Sequence, residues 1–183
     1  MYFEAVLYPV ILGLLRGGSI KKLGELSLRG LPFLFIPLII RIATYNFSHR
    51  GVEFFLCYGG ILQGVAFMIL VVFFLLNWGY NELKIAFTGL CLNILVILVN
   101  GGVMPVSEQA MEIAGVNIVP RGTHVYIDDT TVMPFLADII PFPPPYPFTK
   151  VVSIGDILII VGIFLLVYRL VVYGNRKKQR VSD

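Results

Sequence analysis

The chain is 183 residues long, 57% hydrophobic and only 14% charged, with a net charge of +3 and a mean hydropathy of +0.87. Soluble domains carry about 25% charged residues, so this deficit excludes a disordered chain, a collagen, a disulfide scaffold and a DNA-binding module, and leaves an integral membrane protein. At roughly 20 apolar residues per crossing helix, at most about eight or nine spans fit, with no room for a separate catalytic domain.

The first apolar run, Tyr2 to Leu15, holds Glu4 and Pro9 and is closed by Arg16, Gly17 and Gly18. It is short for a full crossing, so Met1 and Tyr2 are expected close to the far surface. No Lys or Arg precedes it and no small-residue cleavage site follows, which reads as a retained helix and not a signal peptide. From Ser19 to Gly30, Ile20, Leu23, Leu26 and Leu28 alternate with Lys21, Lys22 and Arg29, the pattern of a segment lying on a membrane surface. The second run extends from Leu31 to about Phe47 and carries Pro32, Pro37 and Arg41. Val52 to Leu76 is the strongest, holding Gln63 and no formal charge after Glu53. Ile85 to Val99 includes Asn93, and Val151 to Tyr173 has Asp156 near its start and Arg169 near its end. The pattern predicts one integral membrane domain over residues 1–183: an all-α protein of five transmembrane helices with a Pro-rich extracytoplasmic cap, residues 100–150, between the fourth and fifth.

Basic residues give the direction. Arg16, Lys21, Lys22, Arg29, Lys84, Arg176, Lys177, Lys178 and Arg180 fall on one side of such a bundle, nine in all, against Arg50, Arg121 and Lys150 on the other. Cytoplasmic loops retain Lys and Arg, so an outside N-terminus and a cytoplasmic basic tail, residues 174–183, are expected. The tail reads as orientation signal and lipid-headgroup contact, and no nucleic-acid partner is expected. Trp78 and Tyr80 at an inner end, and Tyr45 and Phe47 at an outer one, suit interfacial belts. No internal repeat suggests an inverted-repeat transporter.

Within the cap, Ser107 can start a short helix through Ala114 that Gly115 ends. Thr123 to Ile127 is strand-like, Asp128 and Asp129 make a turn, and Pro134 can open a helical turn through Ile139. Pro141, Pro143, Pro144, Pro145 and Pro147 predict an extended polyproline course.

Spacing along the helices places Glu4, Arg41 and Asp156 in the outer leaflet, Asn100 at the rim, and Gln63 and Asn93 about halfway across. An unpaired charge at that depth costs at least ~2.5 kcal/mol, so these groups are expected to face inward and pair. The pattern predicts an ion pair between Arg41 and Asp156, with Glu4 or Glu53 as competing acids. Gly60 with Gly64, and Gly13 with Gly17, form small-residue steps suited to close helix packing. Cys57 and Cys91 are assigned to the core, too far apart in depth for a disulfide. Two histidines and no clustered thiols give no support for zinc or haem, and no cofactor is expected. Ser107 with His124 and an Asp could make a hydrolytic triad, and Asp138 with Asp156 a shared-proton pair, but neither has the local signature of such a site.

The stretch Asn100-Gly101-Gly102-Val103-Met104-Pro105-Val106-Ser107 resembles an uncharacterised bacterial multi-pass membrane family, one of the domains of unknown function. The resemblance extends to Leu14-Leu15-Arg16-Gly17-Gly18-Ser19, to Pro134-Phe135-Leu136-Ala137-Asp138-Ile139-Ile140-Pro141 and to Ser153-Ile154-Gly155-Asp156, and so covers essentially the whole chain. It implies a bacterial inner-membrane protein and no particular reaction. Taken together, the residues predict one outer polar site that binds a small ligand, lipid headgroup or partner subunit through Arg41, Asn93, Asn100, Asp138 and Asp156. An enzyme is disfavoured. The expected partners are the bilayer and either a membrane subunit or further copies of the chain. A small oligomeric transporter or channel component using the Gln63 and Asn93 line is the alternative, and a membrane-embedded hydrolase the third reading.

Overall fold

The structure, a computed structural model, describes residues 4–117 and 119–174. Met1, Tyr2 and the tail residues Arg176, Lys177, Lys178 and Arg180 lie outside the described residues. Each apolar run forms a helix: α1 Glu4–Leu15, α2 Phe35–His49, α3 Glu53–Leu76, α4 Asn81–Val99 and α6 Ile154–Tyr173, with the short α5 Glu108–Ala114 in the long connection. Among the described residues, four helices are long and apolar enough to cross a membrane, α2 being counted with the 3-10 turn Leu31–Leu34 before it. With 12 residues, α1 measures about 18 Å against a hydrocarbon core of about 30 Å, so as a helix it falls short of a crossing.

The boundaries follow local chemistry. α4 begins at Asn81, a turn before the apolar run, because its first turn also packs on the bundle: Leu83 is buried and Glu82 meets Arg169 of α6 at 3.1 Å. α6 starts where the Ser153 hydroxyl accepts the Asp156 amide at 3.0 Å, with the Asp156 carboxylate in the favourable first turn. Gly51, at φ 77°, turns the chain between α2 and α3.

α6 is the central helix, packed on α4 antiparallel and on α1 parallel, while α2 pairs with α3. The α4–α6 seam is built from small residues. A Cβ at Gly155 would stand 2.6 Å from the Gly89 carbonyl oxygen, and one at Gly162 2.6 Å from the Ala86 nitrogen. Backbones this close let Leu83, Ala86 and Leu90 interlock with Ile159, Leu166 and Leu170. The predicted glycine steps are half used. Gly13 fits against Val171 and Gly60 against the Gly102 backbone, whereas Gly17 and Gly64 have nothing within 4 Å. Cys57 and Cys91 are both free and exposed on the bundle's outer surface, not in the core, because other residues take the inward positions, Gly59 and Ala66 on α3 and Ala86, Gly89 and Leu90 on α4.

The connection carries secondary structure of its own. β1 Met104–Val106 pairs in parallel with β2 His124–Tyr126, α5 lies between them in sequence, and Asp138 bridges to Val106 on β1. Ser107 caps α5 by accepting the Ala110 amide at 3.2 Å, and Gly115 ends it in the left-handed region. The predicted turn at Asp128 forms, its carboxylate accepting from Thr130 and Thr131. The Pro134 turn stops at Leu136. The proline run does not take the expected polyproline course. β3 Ile140–Phe142 and β4 Lys150–Val152 form an antiparallel hairpin, and the prolines from 143 to 147 make its bend, where lost amide donors cost no ladder bonds.

Candidate functional site

The polar groups gather at the end of the bundle that carries the 100–150 connection, and the α6 start organises them. Asn93 of α4 donates its amide to Asp156 at 2.9 Å, the Ser153 hydroxyl donates to the Asn93 carbonyl at 2.8 Å, and the Asp156 backbone N–H returns to Ser153. All three side chains are buried. This closed ring fits only because Gly155 has no side chain: a Cβ there would lie 2.1 Å from the Asn93 carbonyl oxygen. Asp156 is therefore held by a neutral amide and a helix start, and not by the expected ion pair. Among the described residues, ion pairs join Lys150 to Glu4 and Arg169 to Glu82, the His124 ring stands 3.7 Å from Asp138, and none of these contacts involves Arg41.

Arg41 belongs to a stripe on α2 with Pro37, Thr44 and Ser48, all three buried, yet is itself exposed. That stripe faces the connection. Gly122 comes so near Ser48 that a Cβ would stand 2.5 Å from its hydroxyl, and Thr44 touches Gly59 of α3 beside Thr123. The guanidinium is near enough to act electrostatically on Asp138 and His124.

Asp138 is pinned through its backbone, which donates to Pro105 at 3.0 Å and accepts from Ser107 at 2.9 Å. Burial, reinforced by the charge of Asp156 and opposed by Arg41, pushes its carboxyl well above the usual carboxylate range. One of its oxygens is buried with no hydrogen-bond partner among the described residues. The other lies 3.7 Å from the His124 ring, whose pKa is lowered to about 4 by burial and by the charges of Arg41 and His49. Burial thus disfavours the charged form of both groups across this contact.

Asn100 serves a different purpose. Its amide donates to the carbonyls of Val96 and Val132 and accepts from the Val132 nitrogen, so it ties the connection to the α4 end. The Ser107 hydroxyl is occupied at the α5 start, and His124 bonds Thr123, so the triad partners engage other groups. Asn93 and Asp156 meet directly, Asp138 and Arg41 lie in their field, and Asn100 is separate. Sequence reasoning missed Ser153, although Ser153-Ile154-Gly155-Asp156 has the S-x-x-D spacing of a capping box. It also missed Thr44 and Ser48, whose spacing from Arg41 marks one helix face.

A model for a family of unknown function, DUF5317, matches residues 25–168. The chain belongs to that family. The DUF5317 match contains Arg41, Asn93, Asn100, Asp138 and Asp156, and leaves out Glu4. An uncharacterized protein from Thermotoga maritima is 28% identical over 165 residues, covering 90% of this chain and 89% of the relative. No solved structure matches.

Proposed function

We propose that this DUF5317 chain is a non-enzymatic bacterial inner-membrane protein with five spans, α1 contributing the first through its flanking residues, with its N-terminus outside and its C-terminus in the cytoplasm. Its function is to bind a small ligand, lipid headgroup or partner subunit at the polar mouth under the residue 100 to 150 connection. The supporting observation is Arg41: it stands on the bundle-facing stripe of α2, exposed and without an ion-pair partner among the described residues, beside Asp138 and His124. An exposed guanidinium in no contact ion pair favours an incoming anionic or hydrogen-bond-accepting group. Transport along Gln63 and Asn93 has less support, since the Asn93 amide is already engaged with Asp156 and Ser153.

The test compares the full chain with Arg41→Gln, both purified from native membranes in mild detergent and analysed by native mass spectrometry. A bound molecule on the wild type, lost from the variant at unchanged thermal stability, is expected. Bare monomer from both overturns the proposal.

A further inference from the structure

At the end of the bundle away from the connection, α2 and α3 enclose an apolar groove of about 330 Å³. Its walls include Gly30, Phe33 and Ile36 on one side and Met68, Val72 and Leu76 on the other. The two helices touch at Thr44 and Gly59 near the connection, and the groove opens at their other end. Gly30, in the left-handed region at φ 72°, makes the corner from which the 3-10 turn Leu31–Leu34 departs. That short turn delays the start of α2 and leaves the α3 surface uncovered.

The corner is rigidly built. The buried Asn77 amide accepts from the Arg29 nitrogen at 2.9 Å and donates to the Arg29 carbonyl at 2.9 Å and the Phe73 carbonyl at 2.8 Å, which uses both of its N–H donors. This fixes Arg29 beside the groove's end at the level of Trp78, where Lys84 stands 5.5 Å over the indole ring in an interfacial arrangement. The Arg29 side chain is exposed and enters no ion pair among the described residues. An apolar groove between membrane-length helices thus has at its end Gly30, whose chain neighbour Arg29 is an exposed cation in no ion pair among the described residues.

We propose that this groove is a binding site for an anionic phospholipid, one acyl chain lying between α2 and α3 and the phosphate at Arg29. The charge selects the occupant: a helix from a second copy would fill the groove but leave Arg29 unanswered, whereas an anionic lipid satisfies both parts. The site is separate from the mouth at Arg41 and does not depend on it.

The full chain in mild detergent is incubated with equal amounts of phosphatidylglycerol and phosphatidylcholine of matched acyl chains, and bound lipids are counted by native mass spectrometry. The wild type is expected to retain phosphatidylglycerol over phosphatidylcholine by roughly fivefold, the contribution of one basic residue near a charged headgroup. Arg29→Gln brings that ratio to about one while retaining lipid. Val72→Trp fills the groove and removes both lipids, and Met68→Trp does so independently if the first variant misfolds. Ile61→Trp, on an exposed face of α3 outside the groove, leaves retention unchanged, and glycerol phosphate without acyl chains does not displace the lipid. The proposal is overturned by a wild type with no headgroup preference, by unchanged retention in folded blocking variants, or by a dimer that Val72→Trp dissociates.

Discussion

Replacing Gly162 by Ala tests whether the α4–α6 seam holds the polar mouth together. A Cβ at this position would lie 2.6 Å from the Ala86 nitrogen and 2.7 Å from the Glu82 carbonyl oxygen, and both are helix backbone that cannot rotate aside. Ordinary contact begins at 3.4 Å, so the helices must part by about 0.8 Å, the difference between 3.4 and 2.6 Å. A gap of roughly 0.5–1 Å forfeits a quarter to a half of each dispersion contact it opens. Overpacking of this kind costs about 1–3 kcal/mol, and the better helix propensity of Ala returns about 0.8–1.0 kcal/mol. The net expectation is a loss of up to about 2 kcal/mol, or a fall of up to roughly 8 °C in Tm for a chain this size, against a gain of about 0.8–1.0 kcal/mol where the added methyl meets nothing. Gly64→Ala is the matched control, because that glycine is helical with nothing within 4 Å. Thermal unfolding of the purified protein in detergent, followed by circular dichroism, reads both. If Gly162→Ala is as stable as Gly64→Ala, the seam is not close-packed and the account of how Asp156 is positioned fails.

Asn93→Ala removes the donor to Asp156 and the acceptor for Ser153, at about 0.6–1.7 kcal/mol for each interhelical bond, whereas Asp156→Asn keeps an accepting oxygen and is expected to unfold within a few degrees of wild type. A larger loss in Asp156→Asn than in Asn93→Ala contradicts the ring. Lys150 and Glu4 meet at 2.5 Å with both side chains largely buried, so Glu4→Gln or Lys150→Met alone is expected to cost about 3–5 kcal/mol by stranding a charge. The double variant should recover most of that loss, and single variants as stable as wild type would show that the bridge does not anchor α1. The His124 ring should remain neutral until about pH 4. Its folded pKa lies below its unfolded value of 6.5, so the unfolded chain binds the proton first and this group's stabilising contribution declines as pH falls from about 6.5 to about 4. Asp138 has the opposite sign: its raised carboxyl pKa favours the folded state at low pH, and that contribution fades as pH rises from its ordinary value through the raised one. Side-chain nitrogen chemical shifts of labelled histidine measure the first effect, and a His124 midpoint near 6.5 refutes it.

The helices were legible because hydropathy alone locates apolar runs, and four of them end within a few residues of the predicted limits. The first turn of α4 was not, since Asn81, Glu82 and Lys84 carry no apolar signal, and Glu82 finds its purpose only against Arg169. Depth placed Arg41, Asp156 and Asn93 in one region but could not choose partners. An arginine and an aspartate in the same leaflet suggest a charge pair, whereas the capping geometry at Ser153 and the absent side chain of Gly155 gave Asp156 to Asn93. Composition read the prolines from 141 to 147 as extended chain. A hairpin forms instead because the β-branched Val151 and Val152 return opposite Pro141 and Ile140. Asn100 was assigned to the outer polar site, but its amide is consumed by Val132 and Val96, which only the folded connection could reveal.

The parallel packing of α1 on α6 has a consequence for biogenesis. Its ties to the distant part of the chain, Gly13 against Val171 and Glu4 against Lys150, span nearly the entire described sequence. At 5–20 residues per second, the ribosome reaches Tyr173 roughly 8–30 s after Leu15. Throughout that interval a 12-residue helix containing Pro9 must wait in or beside the lipid with its eventual neighbour unsynthesised. An insertase or chaperone that shelters this segment therefore has its longest task at the first helix, and truncation before α6 should leave the nascent chain open to degradation.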